Sequence, residues 1–173
     1  MSRSASCANP GTPGQGSHSV RLSSLPLPES RYLPGVTPRG AGARREHIDW
    51  DALGETELWA YSIDLFNARF YWEAHEGWER LWRAAARGSA EFSALKGLIQ
   101  IAAALLKVQS ENEPAARRLA SRGIALLSAA AEQNGTLRGL RLENVMREAR
   151  TRLLDAASPL SFEQAVFELA PEA

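Results

Sequence analysis

AEFSALKGLIQIAAALLKVQS (residues 90–110) is the stretch of sequence that decides the fold. Its middle is apolar on nearly every side of an α-helix, and Gln100 is the single polar residue between positions 97 and 106. A helix that is apolar all round is normally buried among other elements. The uncharged run is about half as long as a bilayer span. We therefore expect a central buried helix, which Ser89 caps at its start.

Apolar residues recur at helical spacing on both sides of this central segment. The predicted helices lie at DALGETELWAYSIDLF (51–66), YWEAHEGWERLWRAAAR (71–87), AARRLASRGIALLSAAAEQ (115–133), LENVMREARTRLLDAA (142–157) and, as a short turn, SFEQ (161–164). Asn67, Gly88 and the pair Asn134–Gly135 are expected to end helices, and no run alternates like a β-strand. The sequence thus predicts an all-α fold, a compact bundle of about five helices with short loops.

Residues 1–46 differ in composition from the single helical domain that we expect over residues 47–173. Ser, Gly, Pro and Arg dominate them, and large apolar side chains are few. Such a segment buries too little apolar surface to offset its chain entropy, so we expect a disordered tail. A translation start further downstream is one alternative. A targeting peptide is another, although the many Pro and Gly residues disfavour the amphipathic helix that such a peptide needs.

Composition and charge exclude several classes of function. The 20 basic and 20 acidic residues give a formal net charge of zero, so neither a nucleic-acid nor a membrane partner is expected. Cys7 is the only cysteine, which excludes an internal disulfide framework and a cysteine-based zinc site. Without an apolar N-terminal signal segment, a cytoplasmic protein is expected. The acid-rich first two helices and the Arg-rich later ones fit complementary surfaces within one bundle, ordinary solvated faces, or a homo-oligomer.

EAHEGWERLW (73–82) contains the residues that bear on function. His75 and Glu79 lie one turn apart in the apolar sector of the predicted second helix, where ionisable groups are rarely buried without a partner. One explanation is a buried structural network of His75, Glu79 and Gln100 that fixes the packing. The other is a metal site that uses a neutral imidazole and a carboxylate. The aromatic residues that share this sector are Tyr71, Trp78 and Trp82.

The remaining glutamates of this stretch have simpler explanations. Glu73 suits the first turn of a helix, and Glu76 stands four residues before Arg80, which favours an ion pair. In a metal site, Glu76 is the weaker third ligand, and Glu73 or Glu76 is the candidate catalytic base. HEGWE lacks the second histidine of the HExxH zinc motif. A set rich in oxygen suits Mn²⁺, Fe²⁺ or Mg²⁺ better than a closed structural Zn²⁺ site.

FNARFYWEAHEGWERLW (66–82), followed by KGLIQIAAALLK (96–107), resembles the bacterial and archaeal family called domain of unknown function 309. Its signature His-x-x-x-Glu-x-x-Trp is matched by His75, Glu79 and Trp82. Phe66–Asn67 before the motif and Gly97–Gln100 after it also match, and the resemblance spans about residues 53–156. It implies a compact all-helical domain and a metal-dependent hydrolase. Members often carry a histidine about where Leu106 or Lys107 stands here, so a second nitrogen ligand is missing.

Three functions are compatible with these patterns. In a metal-dependent hydrolase with an unknown small-molecule substrate, the pocket around the ligands would include Trp78, Trp82, Gln100, Asn67 and Tyr71. In a non-catalytic helical module, the same residues would organise the core. In a protein-interaction domain, exposed tryptophans at positions 50, 59 or 72 would bind the partner. The burial of these side chains distinguishes the three.

Overall fold

The computed structural model describes residues 21–34 and 48–172, and within them it is an all-helical bundle. The five main helices are α1 (Glu55–Asn67), α2 (Tyr71–Ala84), α3 (Ala90–Gln109), α4 (Glu113–Ala131) and α5 (Leu142–Ala149). A π-helical turn (Arg150–Leu154) continues α5, and a single turn, α6 (Phe162–Ala165), follows. Two-residue strands, β1 (Thr136–Leu137) and β2 (Leu140–Arg141), form an antiparallel hairpin between α4 and α5. The predicted fold class is confirmed.

Helix α3 lies at the centre of the bundle, as its apolar sequence predicts. Leu95, Leu98, Ile101 and Leu105 are fully buried within it. Helix α4 approaches α3 so closely that an added Cβ at Gly123 would lie 2.9 Å from the carbonyl oxygen of Gly97. Only glycine fits such a backbone contact. Helices α1 and α2 pack against one another, and α2 also packs on α3.

Side-chain caps begin three of the helices, and the cap that we predicted at Ser89 is confirmed. The hydroxyl of Ser89 accepts a hydrogen bond of 3.0 Å from the backbone N–H of Phe92. Asn112 accepts one from Ala115 at 3.2 Å at the start of α4, and Ser161 caps the short α6. Each cap satisfies a backbone donor that has no partner inside its helix.

The structure departs from the sequence analysis in the details of one helix end and one connection. Helix α1 ends at Asn67 as predicted, but the left-handed conformation that follows a helix end is at Arg69, with φ 68°. The side-chain amide of Asn67 instead donates to the carbonyl of Leu169 and accepts from its N–H, both at 2.8 Å, which ties the C-terminal segment to the bundle. The β1–β2 hairpin was not expected, because two residues per strand are too few to show alternation.

Part of the stretch that we predicted as a disordered tail contacts the bundle. Residues 21–34, which we call the N-terminal strap, run along α1 and the start of α2, and Leu25, Leu27 and Leu33 pack against the core. Residues 1–20 and 35–47 lie outside the described ones, so the prediction for them stays a prediction. Among the described residues, no helix has both the length and the apolarity needed to cross a membrane.

Candidate metal centre

The rotation of α2 about its axis determines where the candidate residues lie. Its buried residues are Tyr71, Ala74, Gly77, Trp78 and Leu81. Gly77 is buried against α1, and an added Cβ would collide with the hydroxyl of Ser62. Because this contact turns Gly77 inward, His75 and Glu79 lie at the edge of the buried face and not within it.

At this edge, His75, Glu76 and Glu79 form a compact group of possible metal ligands. One imidazole nitrogen and one oxygen from each carboxylate all lie within 4.8 Å of one another. His75 Nδ1 is 3.9 Å from Glu76 Oε1. The three side chains are half-buried, with exposed fractions of 21% for His75, 38% for Glu76 and 29% for Glu79. We call these three residues the α2 cluster.

The imidazole of His75 has an apolar support on one side and carboxylates on the other. The indole of Trp72 stacks on it, with ring centroids 5.7 Å apart and planes 7° from parallel. Burial lowers the pKa of His75 below its ordinary value, while the carboxylates of Glu79 and Glu76 act in the opposite direction. Nδ1 is buried and has no hydrogen-bond partner among the described residues. Near neutral pH the ring is therefore uncharged and has a lone pair to offer.

Arginines partly neutralise the two carboxylates. The guanidinium of Arg83 donates to Glu79 Oε2 at 2.9 Å, although 65% of the Arg83 side chain is exposed. Arg80 lies 3.9 Å from Glu76 Oε2, as the predicted ion pair requires. Exposed pairs of this kind contribute little free energy, so a divalent ion could displace either cation.

The predicted network of His75, Glu79 and Gln100 does not form. Gln100 is half-buried on α3, and no described hydrogen bond joins its side chain to either residue. Since Glu79 bonds to an exposed arginine at the edge of the helix, its loss should cost far less than the several kcal/mol that a buried pair would lose. We expect the loss of Glu79 to cost about 0.5 kcal/mol.

The other predicted site residues lie elsewhere in the bundle. Tyr71 and Trp78 are core residues, and their rings both contact Phe66. Glu73 accepts a hydrogen bond from the backbone N–H of Tyr32 in the strap, at 3.4 Å. Trp82 is half-buried against Phe92, at a centroid distance of 5.0 Å.

A surface cavity adjoins the α2 cluster through Arg83. It has a volume of about 290 Å³, and its lining includes Trp82, Phe92, Arg83 and Arg87. Arg83, whose guanidinium bonds to Glu79, is therefore also part of the lining of an aromatic and cationic depression.

The sequence reasoning missed the role of Trp72, which it treated as a candidate partner-binding residue on the surface. Trp72 precedes His75 by three residues, a spacing that brings two side chains together on a helix, so the signal was available. None of the five tryptophans is exposed, and Leu22 is the one large apolar side chain that is exposed within the described ranges. This result weakens the prediction of a tryptophan-rich interaction surface.

Fold and site together define a small helical domain that carries a His/Glu cluster on its second helix. Residues 59–119, from α1 into α4, match the family model described as domain of unknown function (DUF309). The match contains all three residues of the α2 cluster, and the resemblance stated above is confirmed over this segment. No curated protein matches the chain.

Proposed function

We propose that the α2 cluster binds a divalent metal ion and that the chain is a metal-dependent hydrolase acting on a small acidic molecule. The observation that carries the proposal is the convergence of one imidazole nitrogen and two carboxylate oxygens within 4.8 Å, next to a buried Nδ1 without a hydrogen-bond partner. Other buried atoms, such as Trp78 Nε1, also lack a partner, but Nδ1 of His75 differs from them because two carboxylates lie beside it.

The ligand set fits Mn²⁺ or Fe²⁺ best, because these ions accept a mixed set of imidazole and carboxylate ligands. Mg²⁺ and Zn²⁺ are the less favoured alternatives. Three ligands from one helix leave the rest of the coordination shell open to water and substrate, as catalysis requires. When bound, such an ion supplies Lewis-acid activation for hydrolysis. Glu76 is the better candidate for the catalytic base, because Glu73 is engaged by the strap.

The chain's own residues would orient the substrate. Arg83 and Arg87 would bind its acidic group, and the rings of Trp82 and Phe92 would pack against its apolar part. The alternative of a non-catalytic helical module loses its main support, because Gln100 does not complete a buried network. A cytoplasmic location and the absence of a nucleic-acid partner stay predictions, as does the choice between monomer and homo-oligomer.

Metal binding is tested by isothermal titration of Mn²⁺ into protein that was purified without a histidine tag and stripped of metal. We expect one site per chain in the wild type and none in His75→Ala or Glu79→Gln. Glu79→Gln should keep the thermal stability within about 0.5 kcal/mol of wild type, which separates loss of a ligand from loss of the fold.

Glu57→Gln is the matched control, since Glu57 is an exposed glutamate on α1 and lies outside the cluster. It should bind Mn²⁺ like the wild type. If the wild type binds no Mn²⁺, Fe²⁺, Zn²⁺ or Mg²⁺, or if the cluster variants bind as well as the control, the proposal is wrong. Once binding is established, hydrolysis of small phosphate and carboxylate esters by the Mn²⁺-loaded protein tests the second half of the proposal.

A further inference from the structure

The N-terminal strap is attached to the bundle by a buried carboxylate. Asp64 on α1 has 3% of its side chain exposed. Its two oxygens accept hydrogen bonds from the backbone N–H groups of Leu22 and Ser23, both at 2.8 Å, and from the Ser23 hydroxyl at 2.7 Å. Arg21 adds its charge at 3.6 Å. A buried carboxylate is costly unless it is paired in this way, so the strap and Asp64 depend on one another.

Further contacts continue along the strap towards α2. The hydroxyl of Tyr61, on α1, donates to the carbonyl of Pro26 at 2.8 Å. At the far end, the backbone N–H of Tyr32 donates to Glu73, and the ring of Tyr32 packs on Trp72 with centroids 5.2 Å apart. The contacts therefore extend from the buried Asp64 to the residue that supports His75.

Tyr32, Trp72 and His75 form a continuous series of ring contacts, in which Tyr32 is tilted by 59° against Trp72 and His75 is stacked on it. Trp72 is held on one side by Tyr32 and offers its other neighbour, His75, a nearly parallel face. An indole at a helix surface can adopt several rotamers, and a neighbouring ring selects one of them. Because the imidazole stacks flat on the indole, the rotamer of Trp72 fixes the orientation of the imidazole plane. It thereby fixes the direction in which the two nitrogens of His75 point.

We propose that the strap is a positioning element of the metal centre: Asp64 holds it, and Tyr32 acts through Trp72 to orient His75 towards Glu76 and Glu79. This inference rests on the proposed function, because it assumes that a metal ion is the ligand whose binding the strap improves. The described contacts of Tyr32 are with Glu73 and Trp72, and it is not among the residues that line the cavity, so we assign it a positioning role and not a catalytic one. Residues outside the ligands often change metal affinity about tenfold or more when they are lost.

The test uses the full chain with Tyr32→Ala, and it has one measurement with metal and one without. Without metal, the ring-proton resonances of His75 are recorded at about pH 8, where the imidazole is neutral. A stacked indole shifts these protons upfield, so Tyr32→Ala should move them towards the positions of a solvated histidine. With metal, the affinity for Mn²⁺ should fall about tenfold.

Two matched variants control for the general effect of altering the strap. Tyr32→Phe keeps the ring and should behave like the wild type in both measurements. Arg31→Ala removes the neighbouring strap side chain, which contacts Phe70 and the carbonyl of Ala68 but not Trp72. It should also leave both measurements unchanged. Asp64→Asn, which loses the carboxylate but keeps the shape, should change them in the same direction as Tyr32→Ala.

The result that would overturn this inference is different from the result that would overturn the proposed function. If Tyr32→Ala leaves the His75 resonances in their wild-type positions, the positioning role is wrong, whatever the metal affinity. If Arg31→Ala changes both measurements as much as Tyr32→Ala does, the effect on His75 does not pass through the ring contacts of Tyr32 and Trp72. The inference is then also overturned. If the wild type binds no metal, the proposed function fails, and the resonances still decide whether the strap orients His75.

Discussion

The α3–α4 interface and the outer edge of α2 are built from the same kind of helix but follow different rules. At the interface, every buried residue is small or apolar, and Gly97 faces Gly123 so closely that the two backbones touch. At the edge, His75, Glu76 and Glu79 are half-buried, and the imidazole has a buried nitrogen without a partner. Packing accounts for the first region completely. It gives no reason for the second, and this is why we look for function there.

The largest expected effect is at the interface. Gly123→Ala adds a Cβ 2.9 Å from a backbone oxygen and from Ile101, so the helices must separate. We expect a loss of about 1–3 kcal/mol in the free energy of unfolding, which outweighs the gain of about 1 kcal/mol in helix propensity. Urea denaturation measures this loss.

Gly135→Ala is the control, because an added Cβ at Gly135 has no atom within 4 Å. Its stability should stay near that of the wild type. Mn²⁺ binding by the folded Gly123→Ala protein should also be unchanged, because the substitution is far from α2 in the chain and alters none of its side chains. Equal stability of the two glycine variants would contradict the tight interface.

The sequence predicts a region well when its interactions join residues that are close together in the chain, and poorly when they join distant residues. The helices and their caps depend on residues three or four positions apart, so Ser89, Asn112 and Ser161 could be recognised directly. The docking of the strap depends on Asp64, more than 40 residues away from Leu22 and Ser23, and no local pattern in a Ser/Pro-rich segment reveals such a partner. Propensity alone therefore predicted a disordered tail.

The sequence predicted which helix carries the site, but it did not predict how that helix is rotated about its axis. His75 and Glu79 were identified from their spacing, and Glu76 was ranked below them because an ion pair with Arg80 already explained it. Their side chains are long enough to converge all the same. Gly77 has no side chain, which lets α2 approach α1, and the spacing of apolar residues does not reveal this contact. This one residue explains why the expected burial of His75 and Glu79 was too deep.

The second prediction concerns His75, at the outer edge of α2, and the pH dependence that its titration gives to the free energy of unfolding. Burial lowers the pKa of its imidazole below the ordinary value of 6.5. The unfolded chain therefore binds a proton on His75 at a higher pH than the folded chain does. This contribution to stability is present above about pH 6.5 and is lost as the pH falls through the folded pKa.

The measurement is urea denaturation with a chelator present, at several pH values between about 7.5 and 5. The wild type should lose more stability on acidification than His75→Asn does, by an amount below about 1.4 kcal/mol for each unit of pKa shift. Because the α3–α4 interface contains no titratable group among its buried residues, Gly123→Ala should keep the wild-type slope. Identical slopes for the wild type and His75→Asn would mean that His75 titrates as in the unfolded chain.

The smallest expected effect concerns Arg83, and it separates a ligand role of Glu79 from a purely structural ion pair. Arg83 competes with a metal ion for Glu79 Oε2, so Arg83→Gln should tighten Mn²⁺ binding a few-fold, in line with the roughly 0.3–0.5 kcal/mol of an exposed helical pair. Thermal stability should fall by no more than that. Arg87→Gln is the control, because Arg87 borders the same cavity and no described ion pair joins it to Glu79. If Arg83→Gln leaves Mn²⁺ binding unchanged, Glu79 is paired with Arg83 for structure and is not a ligand; if the variant weakens binding, Arg83 supports the site and does not compete with the ion.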